Sequence, residues 1–331
     1  MKHWILFALL FPIITLGPYR ECEAKEHSDG TLSVVLENDM FYNVDQHYTN
    51  GVGFIWVPSR DKPTPEWVRK VASVVPWIPR EGELLHGYAF GQSMFTPADT
   101  DATNPPQWDR PYAGWLYGLV GLGVATGQRL DLLSLSVGIV GPASLAEQTQ
   151  KAVHELRGID VPKGWDTQLH DEPAVVLTYQ LSKREWATTT WLGNRFDITP
   201  HVGGAIGNVF TYANAGFTLR YGEQLPNDFG PPRIQPGLLG SVEFAPTKGF
   251  NWYVFAGVEG RAVARNIFLD GNTFRDSRSV DKKPWVGDLQ FGLVLDWPGT
   301  RLSYTHVRRT KEFTTQGKND EFGALSFSVK F

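Results

Sequence analysis

The run GALSFSVKF sets Leu325, Phe327, Val329 and Phe331 against Ala324, Ser326, Ser328 and Lys330. A two-residue period gives a strand one apolar and one polar face. The same period recurs upstream. WVGDLQFGLVLDW sets Leu289, Phe291, Leu293, Leu295 and Trp297 against Asp288, Gln290, Gly292 and Asp296. ANAGFTLRY sets Phe217, Leu219 and Tyr221 against Thr218 and Arg220, and NWYVFAGVEGRAVAR puts Glu259, Arg261 and Arg265 on one face, where Glu259 and Arg261 are able to pair. A charge turned towards lipid costs about 2–4 kcal/mol near the bilayer midplane, so such charges must line a polar interior. The pattern predicts an all-β chain closed into a transmembrane antiparallel β-barrel, with Leu325, Phe327 and Phe331 on the outside.

Composition fits that expectation. Aromatic residues make up 13% of the chain, with 12 Trp, which suits the interfacial girdles of a barrel. Mean hydropathy is negative and no apolar run reaches the roughly 20 residues a spanning helix needs. A formal charge of −4 without a basic stripe gives no support for nucleic-acid binding.

The first residues, MKHWILFALLFPIITLGPYRECEA, combine a basic start, an apolar stretch and a small residue at Ala24. They read as a secretory signal, residues 1–24, removed from a barrel domain of residues 25–331. Cys22, the one cysteine, leaves with it, so neither a disulfide nor thiol chemistry is expected.

Candidate strands fall at 31–39, 47–58, 84–95, 110–125, 128–140, 170–183, 194–206, 211–222, 250–266, 284–297, 300–310 and 321–331, about twelve in all, with 224–248 left as a long connection or added hairpin. Both termini of such barrels are periplasmic. By parity, the joints after strands one, three and five are then extracellular. The first, NDMFYNVDQHYTN, is unusually polar. The fifth carries PASLAEQTQKAVHELRG, read as the one convincing helix: Ser144 and Glu147 form a capping box, Gly158 stops it, and Leu145 and Val153 mark the face that packs down. Gln150 and His154, four apart, project together. On residues alone Asn38 and Asp39 serve equally as turn formers, His154 and His170 as solvated loop histidines, and Asp109 with Arg110 as an ion pair at the rim.

Taken as a set, ENDMF…YTNG, DRPYAG (109–114), GP…QKAVH and GWDTQLHDEP (164–173) resemble the lipid A 3′-O-deacylase family of outer-membrane barrels. The resemblance covers essentially the whole chain after the leader. It implies a carboxylic ester hydrolase that removes the 3′-linked acyloxyacyl chain of lipid A and depends on Ca²⁺. It also implies site residues at Asn38, Asp39, Thr49, Gln150, His154 and Asp160, the last an acidic residue six beyond the histidine. A basic residue of the strand-three joint has no counterpart, since residues 96–108 contain neither Lys nor Arg.

The chemistry is coherent. Ester hydrolysis needs a base near neutral pH, which histidine supplies, and donors or a cation at the developing oxyanion. His154 is expected to activate water, Asp39 to hold Ca²⁺ as a hard oxygen ligand, Asn38 and Thr49 to polarise the carbonyl, and Gln150 and Asp160 to position the base. No G-x-S-x-G motif supports a serine nucleophile. Lipid A or lipopolysaccharide in the outer leaflet is the expected partner, and no protein partner is expected. An outer-membrane phospholipase, or a non-enzymatic small porin or adhesin, remains an alternative.

Overall fold

The computed structural model describes residues 29–39, 47–229 and 249–331, without the side chains of 47–49. The predicted leader and the run QPGLLGSVEFA lie outside the described residues. Thirteen strands form one antiparallel sheet: β1 Gly30–Asn38, β2 His47–Pro58, β3 Glu83–Thr96, β4 Ala113–Thr126, β5 Arg129–Val140, β6 Glu172–Lys183, β7 Ala187–Trp191, β8 Asn194–Gly207, β9 Phe210–Gly222, β10 Asn251–Asn266, β11 Trp285–Trp297, β12 Thr300–Arg309 and β13 Asp320–Lys330. Pairing of β1 with β13 and of β6 with β8 closes twelve of them into a barrel. The thirteenth, β7, is a five-residue extension hairpinned onto β8. Its short Thr run, bounded by Glu185 and Leu192 at positive φ, carries no apolar alternation to announce it.

The predicted faces hold. Leu289, Phe291, Leu293, Trp297 and Phe331 point outward and are exposed, while Leu325 and Phe327 lie on the same outer face, half-buried among neighbours. Their polar alternates Asp288, Asp296, Ser326 and Ser328 are buried inside. Interior charges pair with one another. Near the mouth that carries Gly30 and Phe331, Asp228 lies 2.6 Å from both Arg220 and Arg301, which also bind Asp197 and Asp296. Towards the far mouth Arg261 lies 3.5 Å from Glu259 and 3.0 Å from Asp288, and Arg309 is 2.9 Å from Asp288. A bulge between Val263 and Arg265 turns Arg265 off the interior face, contrary to the simple alternation; it binds the carbonyls of Asn208 and Gly271 instead. Above these charges an aromatic layer with Phe95, Trp115, Tyr117 and Phe268 fills the lumen. Among the described residues, ion pairs and rings thus occupy much of the lumen.

Among the described residues there are three α-helices where one was expected. The first, α1 (Glu66–Val74), buries Val68 and Ala72 against Leu122 and Val124 on the outer face of β4. The second, α2 (Ala146–Arg157), lies in the long loop after β5, and α3 (Ile267–Asp270) is a single turn after β10. Asp109 and Arg110 do not pair with each other. Asp109 accepts from the amides of Ala98 and Arg110, while the Arg110 guanidinium turns inward to Glu312, 3.3 Å away, over the Phe95 and Phe313 rings.

Candidate active site on the outer wall

The site is built from a row of residues across the top of the wall. Asn38 pairs with Asn50, Asn50 with Met94, and Met94 with Gly114. Residues directly opposite in an antiparallel sheet share a face. Lower positions on this face include Leu32, Phe54, Tyr88 and Phe90, all exposed, so the row faces outward. With strands about 4.8 Å apart, Asn38 is some 10 Å from Met94 along the row.

Helix α2 lies on this row. A 3₁₀ turn at Pro142–Ser144 leads the chain over β4, and a side chain at Gly114 would place its Cβ 2.1 Å from Ser144 Oγ and 2.3 Å from Ala146 Cβ. Only glycine permits this approach. Gln92 of β3 donates to the Ser144 carbonyl at 2.7 Å, and Met94, Tyr112, Ala146 and Trp165 pack together beneath the helix.

The helix lies the other way up from the sequence expectation. Ala146, Gln150 and His154, spaced by four, face the barrel and are buried, whereas Leu145, Val153 and Leu156 are exposed. Periodicity alone assigns apolar residues to the packed face, but outside a membrane barrel the external medium is itself apolar. The capping box is also absent: α2 starts after Leu145, at φ 59°, with no side-chain cap, and Ser144 is buried in the preceding turn. Gly158 at φ 63° ends the helix as expected.

Gln150 and His154 each have a hydrogen-bond partner from the loop after the helix. Trp165 donates its indole N–H to Gln150 Oε1 at 2.7 Å, leaving Gln150 Nε2 buried without a hydrogen bond among the described residues. His154 Nδ1 lies 2.6 Å from the Asp160 carbonyl oxygen. A carbonyl only accepts, so Nδ1 carries a proton, and in the neutral ring Nε2 is then the acceptor nitrogen. Asp160 therefore acts through its main chain, and the residue is exposed, so its carboxylate is not what holds the histidine.

The structure sets Gln150 and His154 on the helix face turned towards the outer wall over β3 and β4, and Asn38 on the same wall two strands from β3. Asp39, directly after Asn38, is 2% exposed. Thr49 falls at a bulge in β2, its side chain outside the described residues. His170 is exposed and lies beyond the 3₁₀ turn Trp165–Thr167. Asn50 and Trp165 were not among the expected site residues; Asn50 sits within YTNG, and only strand register reveals its pairing with Asn38, while Trp165 binds Gln150. Among the described residues no three His, Cys, Asp or Glu side chains gather as a metal cluster. The hard oxygen donors present are the Asp39 carboxylate and Asn50 Oδ1, a buried atom that accepts no hydrogen bond among the described residues. Oxygen donors of this kind are hard and would suit calcium better than a softer metal. The strand-three joint meets a basic side chain from elsewhere, Lys163, 3.2 Å from Asp101.

Comparison with known proteins agrees with this architecture. The structure matches LpxR from Salmonella typhimurium with a TM-score of 0.73 at 19% identity, covering 91% of this chain and 100% of that one. The β domain of the Bordetella autotransporter BrkA matches at a TM-score of 0.44 and 10% identity, over 92% of this chain and 98% of that one, a general likeness among barrels. No curated protein matches the chain. The family model described as outer membrane protein LpxR matches residues 5–331, and the chain belongs to that family of outer-membrane barrels.

Proposed function

We propose that the protein is a lipid A 3′-O-deacylase, a Ca²⁺-dependent ester hydrolase of the outer leaflet, with both termini periplasmic and residues 1–24 removed as a leader. The observation that carries this reading is the inverted α2: its polar face, with Gln150 and His154, is closed onto the Asn38 row, and its apolar face is turned out. A substrate reaching that cleft arrives sideways, from lipid. A soluble ester has no such route.

In this reading His154 Nε2 takes a proton from water while Nδ1 donates to the Asp160 carbonyl. The water oxygen bonds to the ester carbonyl carbon, and the carbonyl π pair moves to oxygen. Gln150 Nε2, oriented by Trp165, and the Asn38 amide donate to that oxyanion. Collapse breaks the bond to the sugar 3′-oxygen, which recovers the proton from His154. Asp39 and Asn50 Oδ1 are the residues that would hold calcium, which supplies positive charge for carbonyl polarisation when bound. Exclusion of bulk water by the helix and the surrounding lipid strengthens each of these interactions.

Mass spectrometry of lipid A from cells expressing wild type or His154→Ala tests the proposal. Loss of the 3′-linked acyloxyacyl chain in wild type alone is expected. Intact lipid A with shortened phospholipids would make the protein a phospholipase instead.

A further inference from the structure

Halfway round the barrel from α2, at the same mouth, the outer faces of β10 and β11 and the loop after β12 enclose a groove of about 540 Å³. Its floor is the cross-strand pair Gly260–Gly287, and a Cβ at Gly260 would meet nothing within 4 Å. Trp285, 73% exposed, forms one wall. Lys283 and Lys311 stand over it, half-buried, and no Asp or Glu lines the groove.

Backbone bonds tie down the segments that carry both lysines, with the Thr310 amide donating to the Gly287 carbonyl at 2.9 Å. Lys282 bridges to Phe313, and the Lys283 amide donates to the Glu312 carbonyl at 2.7 Å. Neither ammonium makes an ion pair or hydrogen bond among the described residues. The Arg261 guanidinium behind the floor is different, being matched by Glu259 and Asp288. Thr310 Oγ1 accepts from the Gly287 amide at 2.9 Å, which leaves its own O–H to donate into the groove. Two unmatched ammonium groups brought together repel unless an anion joins them. Below the groove the wall is apolar and exposed, through Val258, Leu289 and Phe291. An exposed indole above such a wall is able to bridge headgroup and acyl layers.

We propose that this groove seats the phosphate of a phosphorylated membrane lipid between Lys283 and Lys311, with its acyl chains running down the wall past Leu289 and Phe291. The site is separate from the α2 cleft and needs only a membrane-embedded barrel, not the hydrolytic reading. Its effect is to hold a lipid of the same leaflet as a fixed part of the barrel's surround.

Native mass spectrometry of the folded protein in non-ionic detergent, titrated with bisphosphorylated lipid A and with phosphate-free lipid A, tests it. Wild type should carry one more phosphorylated lipid than Lys283→Gln/Lys311→Gln, with the second affinity lowered about thirty-fold in that variant, two lysines each contributing about 1 kcal/mol near an anionic surface. Lys283→Arg/Lys311→Arg should retain it, and phosphate-free lipid A should not distinguish the proteins. Equal retention by wild type and the Gln variant overturns the proposal. Displacement of the extra lipid by excess inorganic phosphate, with phosphate itself bound, would make this a free-anion site and overturn the lipid assignment. Hydrolysis of lipid A measured beside these titrations reports on the other cleft, so the two readings fail separately.

Discussion

The Asp160 carbonyl oxygen lies 2.6 Å from His154 Nδ1, across the turn that Gly158 makes at φ 63°. The loop thereby fixes the tautomer of a histidine on the preceding helix, using main chain alone. Asp160→Ala should therefore keep lipid A hydrolysis within about threefold of wild type, because the carbonyl survives. His154→Ala should lose about 10²–10⁴-fold, the usual worth of a positioned base. Both should show wild-type heat-modifiable mobility, since α2 adds nothing to the strand ladder. Exposed His170→Ala serves as the control and should stay active. An inactive Asp160→Ala would assign the carboxylate a direct role.

Trp165 and Gln150 make the second dependence. Trp165→Phe preserves the ring packed on Tyr112 but removes the N–H that holds Gln150 Oε1. The Gln150 amide is then free to turn, and its Nε2 no longer points one way. The expected result is a fall in kcat of about tenfold with KM little changed, since a donor aimed at the transition state is lost and not a substrate contact. Gln150→Ala should fall at least as far. A change confined to KM would mean the pair shapes the lipid cleft instead.

Gly114 sets the height of α2 above the wall. Gly114→Ala puts a methyl carbon within about 2 Å of Ser144 and Ala146, so the helix start must lift. Strand β4 keeps its backbone pairing, so folding and membrane insertion should persist. Hydrolysis should drop by about 10²-fold, because an error of about 1 Å in a positioned group is enough for that. Equal activity in assays at matched amounts of folded barrel would show that α2 tolerates displacement.

The fold was legible because lipid imposes a strict rule on every strand: each outward residue must be apolar, so two-residue alternation marks twelve walls at once. That signal is absent from β7, whose five residues are all exposed. It misleads on α2 for the same physical reason, since Leu145 and Val153 satisfy lipid and not a core. Asp109 and Arg110 are adjacent and opposite in charge, yet the loop entering β4 turns Arg110 inward to Glu312, over 200 residues away in sequence. The candidate site residues were named from motifs. The Asn38–Asn50–Met94–Gly114 row was not, because register across three strand pairs is a property of the closed sheet and not of any segment.

Calcium is expected to act through Asp39. Chelation should abolish hydrolysis, and Asp39→Asn should raise the calcium needed for half-maximal activity by at least about tenfold while leaving the barrel folded. Replacing one carboxylate by an amide removes the formal charge but keeps an oxygen ligand. Full activity of wild type in chelator would remove the metal from the mechanism and leave Asp39 a role in shaping the turn after β1.

The buried Glu312 gives the last prediction, on stability. Burial pushes its carboxyl up, but Arg309, Arg110 and Arg261 outweigh burial and hold it below the ordinary value of 4.5. A carboxyl whose folded pKa is depressed contributes stability above its unfolded pKa and loses it as pH falls through the lower, folded one. The far mouth should thus hold constant stability through neutral pH and weaken only below about pH 4.5. Glu312→Gln removes the anion while leaving Arg110 in place, with Phe95 and Phe313 under a guanidinium that has lost its partner. Breaking one side of a buried pair costs about 3–5 kcal/mol, so the urea midpoint at neutral pH should fall clearly. Below pH 4 the wild type should approach the variant, because the same charge is then lost by protonation. Midpoints that stay apart by the same amount across the whole acid range would show that Glu312 stabilises through its hydrogen bonds and packing, not its charge.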